Sequence, residues 1–176
     1  AWQEASGTSQ WSYALAVPAA EGVHTISARA TDAVGNVQTS ATTRQILVDG
    51  TAPVVDGSNI WSGSTRVQGA PTIVATRNAD QDWIVPLRGS VDDPSLPGGW
   101  SGSGVRSVEV LLQPGGSWQT ASITGNTWSI DYQLAPVDED GRPVAIPNGT
   151  YTIAVRAIDQ VGNITDEASY TTQTLK

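Results

Sequence analysis

Apolar and polar residues alternate with a period of two along most of this chain. From His24 to Thr31 the even positions are apolar or aromatic and the odd positions are polar, and residues 11–17, 108–112 and 128–134 alternate in the same way. No stretch keeps an apolar period of 3.6 residues for three turns. Strands of this kind place one face on a core and the other in water. The pattern therefore predicts an all-β protein built of antiparallel sheets.

One segment of the sequence occurs twice. His24–Asn36 reads HTISARATDAVGN, and Tyr151–Asn163, 127 residues further along, reads YTIAVRAIDQVGN. Two Trp precede each copy in the same order, Trp2 and Trp11 before the first and Trp118 and Trp128 before the second. The second copy has a longer loop at about residues 137–146. Because two Trp followed by an Asp-x-Val-Gly-Asn run do not recur in the same order by chance, we interpret the chain as a tandem repeat.

The run Arg-Ala-x-Asp-x-Val-Gly-Asn, a following strand and then Asp49–Pro53 resemble the bacterial immunoglobulin-like repeats of large secreted surface proteins. The resemblance implies tandem immunoglobulin-like antiparallel β-sandwiches, the first of them incomplete. Residues 53–176 are expected to form one complete sandwich domain. Its strands are predicted near 71–76, 82–91, 105–113, 117–123, 127–134, 150–159 and 164–175. Residues 1–52 align only with its second half, so they are the C-terminal part of a repeat whose first strands are missing.

The apolar faces of the incomplete repeat need an opposing sheet. Its predicted strands are 11–17, 23–30 and 43–48, and uncovered strand edges and apolar faces invite aggregation. Two explanations are open. A strand from a neighbouring chain completes the half-sandwich and builds a filament, or the chain is a piece of a longer product that has the upstream strands. Residues 54–81 are the candidate donor strand, with four apolar side chains available: Ile60, Val67, Ile73 and Val74.

The amino-acid composition argues against several classes of partner and activity. The net charge of −8 and a single Lys argue against nucleic acid and anionic lipid as partners. The chain contains no run of eighteen apolar residues, so the sequence does not predict a membrane-spanning helix. Cys is absent, and the one His, His24, stands where the other copy has Tyr151. With the usual nucleophile–base pairs excluded and no phosphate loop or Gly-x-Ser-x-Gly elbow, we predict that the chain is not an enzyme.

The two Asp-x-Val-Gly-Asn runs have two interpretations. As hairpin corners, Asp32 and Asp159 would accept bonds from nearby backbone amides, Gly would adopt a positive φ, and Asn would tolerate the left-handed region. Alternatively, they help to bind calcium as a cofactor, as some similar arrays do between domains. The candidate ligands are Asp32, Asn36, Asp49, Asp56, Asp159 and Asn163. The runs lack the Asp/Asn density of a dedicated calcium loop, and the hairpin interpretation is preferred.

Seven Trp raise the question of sugar binding. Trp11, Trp83 and Trp128 are predicted to face inward on alternating strands, where packing is the default role. Only Trp61 and Trp100 lie in Gly/Ser-rich segments without alternation, and they are the carbohydrate-binding candidates. Asn148 and Asn163 begin the two Asn-x-Thr acceptor patterns for glycosylation.

The sequence thus favours a non-enzymatic structural or adhesive segment of a secreted bacterial surface protein. It would extend, space or polymerise, in contact with neighbouring immunoglobulin-like domains or identical subunits, and with glycans as a further class of partner. An extracellular or cell-surface location goes with this interpretation. The alternative is a carbohydrate-binding accessory module of an extracellular enzyme or adhesin. An exposed aromatic platform on one sheet would favour that alternative.

Overall fold

The protein is all-β. The computed structural model describes residues 1–16, 18, 20–68, 72–134, 149–165 and 171–175. Within these ranges there is no α-helix, and hence none that is long and apolar enough to cross a membrane. The chain divides into two compact units, Ala1–Asp49 and Gly50–Lys176.

The first unit contains two separate two-stranded antiparallel sheets. The strands are β1 (Ser6–Gly7), β2 (Trp11–Ser12), β3 (Gly22–Ala28) and β4 (Thr42–Val48). β1 pairs with β2, and β3 pairs with β4 from Gly22 opposite Val48 to Ala28 opposite Thr42. The hairpin of β3 and β4 confirms the predicted strands at 23–30 and 43–48.

The prediction of a strand at 11–17 is wrong in two respects: the strand is much shorter than expected, and its apolar side chains are not buried. Only Trp11–Ser12 is a strand, and the side chains of Trp11, Tyr13 and Leu15 are exposed, Trp11 to 59%. Alternation predicts burial only where a second layer covers the apolar face. Within the described part of the first unit, each sheet has two strands. Trp11 is consequently not a core residue in this structure.

The second unit is built around one antiparallel sheet that curls into a half-barrel. The four short strands are β5 (Val54–Val55), β6 (Trp61–Ser62), β7 (Thr65–Arg66) and β8 (Thr76–Arg77). The longer ones are β9 (Trp83–Asp92), β10 (Val105–Gln113), β11 (Gln119–Thr124), β12 (Thr127–Leu134), β13 (Gly149–Asp159) and β14 (Thr171–Leu175). Their order is β14-β13-β10-β11-β12-β9-β6-β7, and β5 and β8 also pair with β9.

Five of the predicted strands are confirmed as β9 to β13, each within two residues of the expected bounds. The segment predicted as a donor strand has another role. Its residues form short strands that pair with β9 or, for β7, with β6. Ile60, Val67 and Ile73 are at most 2% exposed in the core of their own unit. Because these side chains are already buried, residues 54–81 are not available to complete another sheet. Val74 alone of the four is exposed.

The core lies between the two halves of the curled sheet. Trp128 is fully buried there, as predicted, in one cluster with Tyr132, Ile153, Val155 and Ala157 and with partly buried Ile130 at its margin. Gly89 lies opposite Trp128 on β9. A Cβ atom at Gly89 would be 2.7 Å from the indole ring, so the absence of a side chain makes room for the tryptophan.

Candidate functional site

The turn after β13 is closed by the carboxylate of Asp159. Oδ1 of Asp159 accepts hydrogen bonds from the backbone amides of Val161 at 2.9 Å, Gly162 at 2.6 Å and Asn163 at 2.8 Å. Oδ2 accepts the side-chain amide of Asn163 at 2.7 Å. Asp159 is fully buried, and the corner leaves neither carboxylate oxygen without a donor.

The first repeat builds the same corner around Asp32. Oδ1 of Asp32 accepts the amides of Val34 at 3.0 Å and Asn36 at 2.8 Å, and Oδ2 accepts the side-chain amide of Asn36 at 2.7 Å. Gly35 has a φ of 96°, which favours glycine. The hairpin-corner interpretation is therefore confirmed in its hydrogen bonds and its glycine. Its expectation for Asn is wrong, because neither Asn adopts a positive φ.

These hydrogen bonds lower the pKa of both aspartates. For exposed Asp32 the main cause is the side-chain bond from Asn36, with backbone bonds adding to it. For Asp159, burial by itself raises the pKa. The bonds from Asn163, Gly162 and Val161 outweigh it, and the pKa lies below its usual value of 3.8. Both carboxylates are thus held in their ionised form by the turn that they close.

The corner of the second unit also holds the segment that precedes β5. Nδ2 of Asn163 donates to the carbonyl of Thr51 at 3.4 Å, and the hydroxyl of Thr165 donates to the carbonyl of Pro53 at 3.0 Å. Thr165 Oγ1 also accepts the amide of Ala157 at 2.8 Å. Sequence reasoning missed this role, because the Asn163-Ile164-Thr165 pattern suggested glycosylation. The sequence signal that could have indicated this structural role is the position of Thr165, two residues after Asn163 of the repeated run.

The two glycosylation candidates differ in what the structure says of them. Nδ2 of Asn163, the atom that would carry a glycan, is engaged with Asp159 and Thr51, and Thr165 is buried. Asn148 lies outside the described residues.

The remaining metal candidates, Asp49 and Asp56, do not belong to the Asp-x-Val-Gly-Asn runs. Asp56 caps a 3₁₀ turn at Gly57–Asn59 and accepts the amide and hydroxyl of Ser58 at 3.0 and 2.7 Å. Asp49 is half-buried directly after β4. The acidic neighbour of Asp159 in the second unit is Asp93, which sequence reasoning did not single out. Carboxylate oxygens of the two lie within 4.8 Å of each other.

Calcium binds through six to eight oxygens. In both corners the carboxylate oxygens already accept protein N–H groups, and the Asn side chain directs its nitrogen towards the Asp. Asp93 Oδ2 accepts the amide of Gly104 at 2.5 Å. The geometry of the corners therefore fits a structural turn better than it fits a calcium site.

Trp61 lies on the outer face of the curled sheet, in a row of polar side chains. β6 places Trp61 opposite Arg88 of β9, which lies opposite Ser129 of β12, and Ser129 lies opposite Ser122 of β11. The guanidinium of Arg88 is 5.7 Å from the centroid of the Trp61 ring. The indole Nε1 donates to Oδ1 of Asn59 at 2.9 Å, which fixes the ring.

An open groove of about 460 Å³ lies along this row. Its lining comes from three long strands and the loop after β6, and it includes Arg88, Ser122, Ser129, Asp131 and Gly63. Trp100, the other sugar-binding candidate, lies elsewhere, in the loop between β9 and β10. It is 47% exposed, and its backbone bridges to buried Leu96. The structure therefore does not unite the two candidates in one groove.

A catalytic arrangement is not visible among the described residues. The ring Nε2 of His24 lies 2.8 Å from the carbonyl oxygen of Ala20, a local contact on an exposed strand end. The sequence has two clusters of neighbouring acidic residues, the kind of group that a glycosidase uses in pairs. In the first, Asp92 ends β9 and accepts the side-chain amide of Asn126, and Asp93 follows in the loop. The second, at 138–140, lies outside the described residues.

Comparison with known proteins supplies no family. A scan against protein-family models gives no match, and a search of curated proteins gives none either.

Proposed function

We propose that this chain is a non-enzymatic structural or adhesive segment of a secreted bacterial surface protein, formed by tandem immunoglobulin-like repeats of which the first is incomplete. The observation that carries the proposal is the repetition of one structural unit. β3 pairs with β4 from Gly22 opposite Val48, and β13 pairs with β14 from Gly149 opposite Leu175, which is the same register in both copies. In both copies the Asp–Asn corner follows the first strand of the pair, β3 in the first repeat and β13 in the second.

Repetition of a packing unit without a repeated reactive site is typical of proteins that space or connect, because each copy adds length and the same local stability. The two copies share an ordered corner with no free nucleophile or base. An extracellular location is part of this proposal and agrees with the polar, Thr- and Ser-rich outer face of the sheet.

The corner of the second unit suggests how such a segment bears load. The chain enters the unit at residues 51–53, where the side chains of Asn163 and Thr165 hold two backbone carbonyls. The corner directly follows β13, an eleven-residue strand that pairs with β10 on one side and β14 on the other. A force applied at the entry is passed through side-chain bonds to the longest strand, whose antiparallel ladders must break before the core opens.

Single-molecule pulling on the 176-residue chain tests this role. We expect one dominant unfolding event for the second unit, releasing about 3.4 Å per residue. We expect a lower unfolding force for Thr165→Val, which removes both the bond to Pro53 and the acceptor of the Ala157 amide. Thr150→Val, at an exposed position of β13, is the matched control. Unfolding at the low force of an unstructured chain, or equal forces for all three proteins, would contradict a load-bearing role.

A second candidate function is carbohydrate binding, favoured by the row that joins Trp61, Arg88, Ser129 and Ser122 beside the groove. An indole face stacks on pyranose rings, while Arg, Asp and Ser side chains hydrogen-bond hydroxyl groups. A glycan array followed by calorimetry tests it. Binding lost in Trp61→Ala and kept in Trp100→Ala would support this function. Absence of any bound glycan on the array would contradict it.

A further inference from the structure

The strand β3 of the first repeat has one hydrogen-bonded neighbour, whereas its counterpart β13 has two. In the described part of the chain β3 pairs with β4 only, and β13 pairs with both β14 and β10. The difference shows in burial. Ile153 and Val155 of β13 are fully buried, but the equivalent Ile26 and Ala28 are only half-buried. The free edge of β3 thus borders an apolar face that is itself partly open.

The second repeat shows which kind of strand occupies the equivalent edge. β10 runs antiparallel to β13, with Leu112 opposite Ile153 and Val110 opposite Val155. The equivalent positions of the first repeat are Ile26 and Ala28. A strand of the same pattern would therefore place apolar side chains beside Ile26 and Ala28 on the half-buried face of the sheet. It would also pair with the backbone groups on the free edge of β3.

A charge in the first repeat also matches this neighbour. Arg156 pairs with Glu109 of β10, Nε to Oε2 at 2.6 Å, and the two residues lie directly opposite in the register. The equivalent of Arg156 is Arg29, which is exposed and lies over the ring of Trp2. Within the described residues Arg29 has no acidic partner in an ion pair. An acidic residue in an added strand would supply one.

We propose that the free edge of β3 binds an extended strand of another polypeptide, apolar opposite Ile26 and Ala28 and acidic opposite Arg29. This inference rests on the proposed function and names the partner through which the incomplete repeat would assemble. The strand binds by β-augmentation: backbone hydrogen bonds give affinity, and the alternate side chains and the charge give register. β10 of a second copy is not the donor, because it is bonded on both edges within its own core.

A peptide with the sequence of Val105–Gln113, VRSVEVLLQ, is the probe, titrated onto the 176-residue chain. We expect saturable one-to-one binding and slower amide hydrogen exchange in residues 22–30, with no change in β13. A peptide of the same composition in scrambled order is the control. Binding of the scrambled peptide with equal affinity, or unchanged exchange in residues 22–30, overturns the proposal.

A charge exchange tests the register. Replacing the Glu of the peptide by Arg is expected to weaken binding by about tenfold, because two like charges would then lie opposite each other. The Arg29→Glu chain should bind the Arg peptide with restored affinity and the original peptide about tenfold more weakly. Equal affinities in all four combinations would overturn the predicted contact with Arg29.

Other occupants give distinct results. If sedimentation shows that the chain dimerises with protection of β3 and the dimer excludes the peptide, a second copy fills the edge and the proposal is overturned. If any natural sequence preceding Ala1 abolishes peptide binding when it is added, the edge is filled within one chain and a partner strand is excluded. Failure of these experiments leaves the pulling experiment on the second unit unaffected, so the two proposals fail separately.

Discussion

The guanidinium of Arg156 lies over the indole of Trp118, 4.2 Å from the ring centroid. In the first repeat Arg29 lies over Trp2 at the same distance of 4.2 Å. The Trp comes well before its Arg in both copies, so this cation–π contact is a long-range feature that the repeat preserves. It accounts for the equivalent positions of the two Trp, which serve the architecture of each copy.

The contact between Trp118 and Arg156 is expected to contribute about 0.5–1 kcal/mol to the free energy of unfolding, as is usual at partly exposed sites. A double-mutant cycle with Trp118→Leu and Arg156→Gln measures it by chemical denaturation. The Glu109→Gln variant separates the ion pair from the ring contact. A coupling energy of zero between Trp118 and Arg156 would show that the stacking is without energetic consequence.

Replacing Trp128 by Ala is expected to lower the free energy of unfolding by about 3–5 kcal/mol, because it empties a fully buried site in the core. The matched control is Trp11→Ala, the equivalent position of the first repeat, which is 59% exposed. We expect the control to change the denaturation midpoint of the second unit little. Similar losses in both variants would contradict the difference in burial between the repeats.

Gly89→Ala should be destabilising although it adds a single methyl group. Its Cβ would meet the ring of Trp128 at 2.7 Å, so the indole or the strand must move, at a cost of about 1–3 kcal/mol. Gly125→Ala is an unsuitable control, because Gly125 has a positive φ. Ser129→Ala, on the exposed outer face of β12, serves instead. Thermal denaturation that is unchanged by Gly89→Ala would contradict the close contact.

Asp159 should make stability dependent on acid pH. Its pKa in the folded protein is below the usual 3.8, so the carboxylate stabilises the fold above that pH. This contribution is lost as the pH falls below 3.8 towards the folded value. Asp159→Asn is expected to cost about 2–3 kcal/mol at pH 7, because a buried charged acceptor is lost and two side-chain amides face each other. The cost should shrink as the pH falls towards 2.

The matched control for that experiment is Asp32→Asn, which changes an exposed corner with the same hydrogen bonds. We expect a smaller loss of stability there than at Asp159. A wild-type stability that stays parallel to that of Asp159→Asn between pH 7 and pH 2 would contradict the lowered pKa.

Removal of calcium should leave the protein unchanged. Because the corner carboxylates are satisfied by protein donors, a chelator is expected not to shift the melting temperature. A fall of several degrees on chelation, reversed by added calcium and absent in Asp159→Asn, would contradict the structural interpretation and assign a metal to this corner.

Local chemistry explains what the sequence alone determined. Alternation located β9 to β13 and the hairpin of the first repeat, because period-two burial is a property of each strand. The Asp-x-Val-Gly-Asn run predicted the corner and its amide bonds, since all the groups lie within five residues. The repeat itself indicated that Trp118 and Trp2 have equivalent roles.

Only the tertiary structure decided which apolar faces are covered. Trp11 and Trp128 stand in equivalent alternating segments, yet one is exposed and the other buried, because among the residues that the structure describes only the second unit has a sheet that curls over the tryptophan. The short strands β5 to β7 were not predicted, the strand predicted near 71–76 overlaps β8 only at Thr76, and the segment was mistaken for a free donor. Their few residues show no alternation, and they are held by pairing with distant β9 or, for β7, with β6. Burial is a long-range outcome, decided by the layer that lies opposite a strand, whereas the strand and its turn are decided by neighbours in sequence.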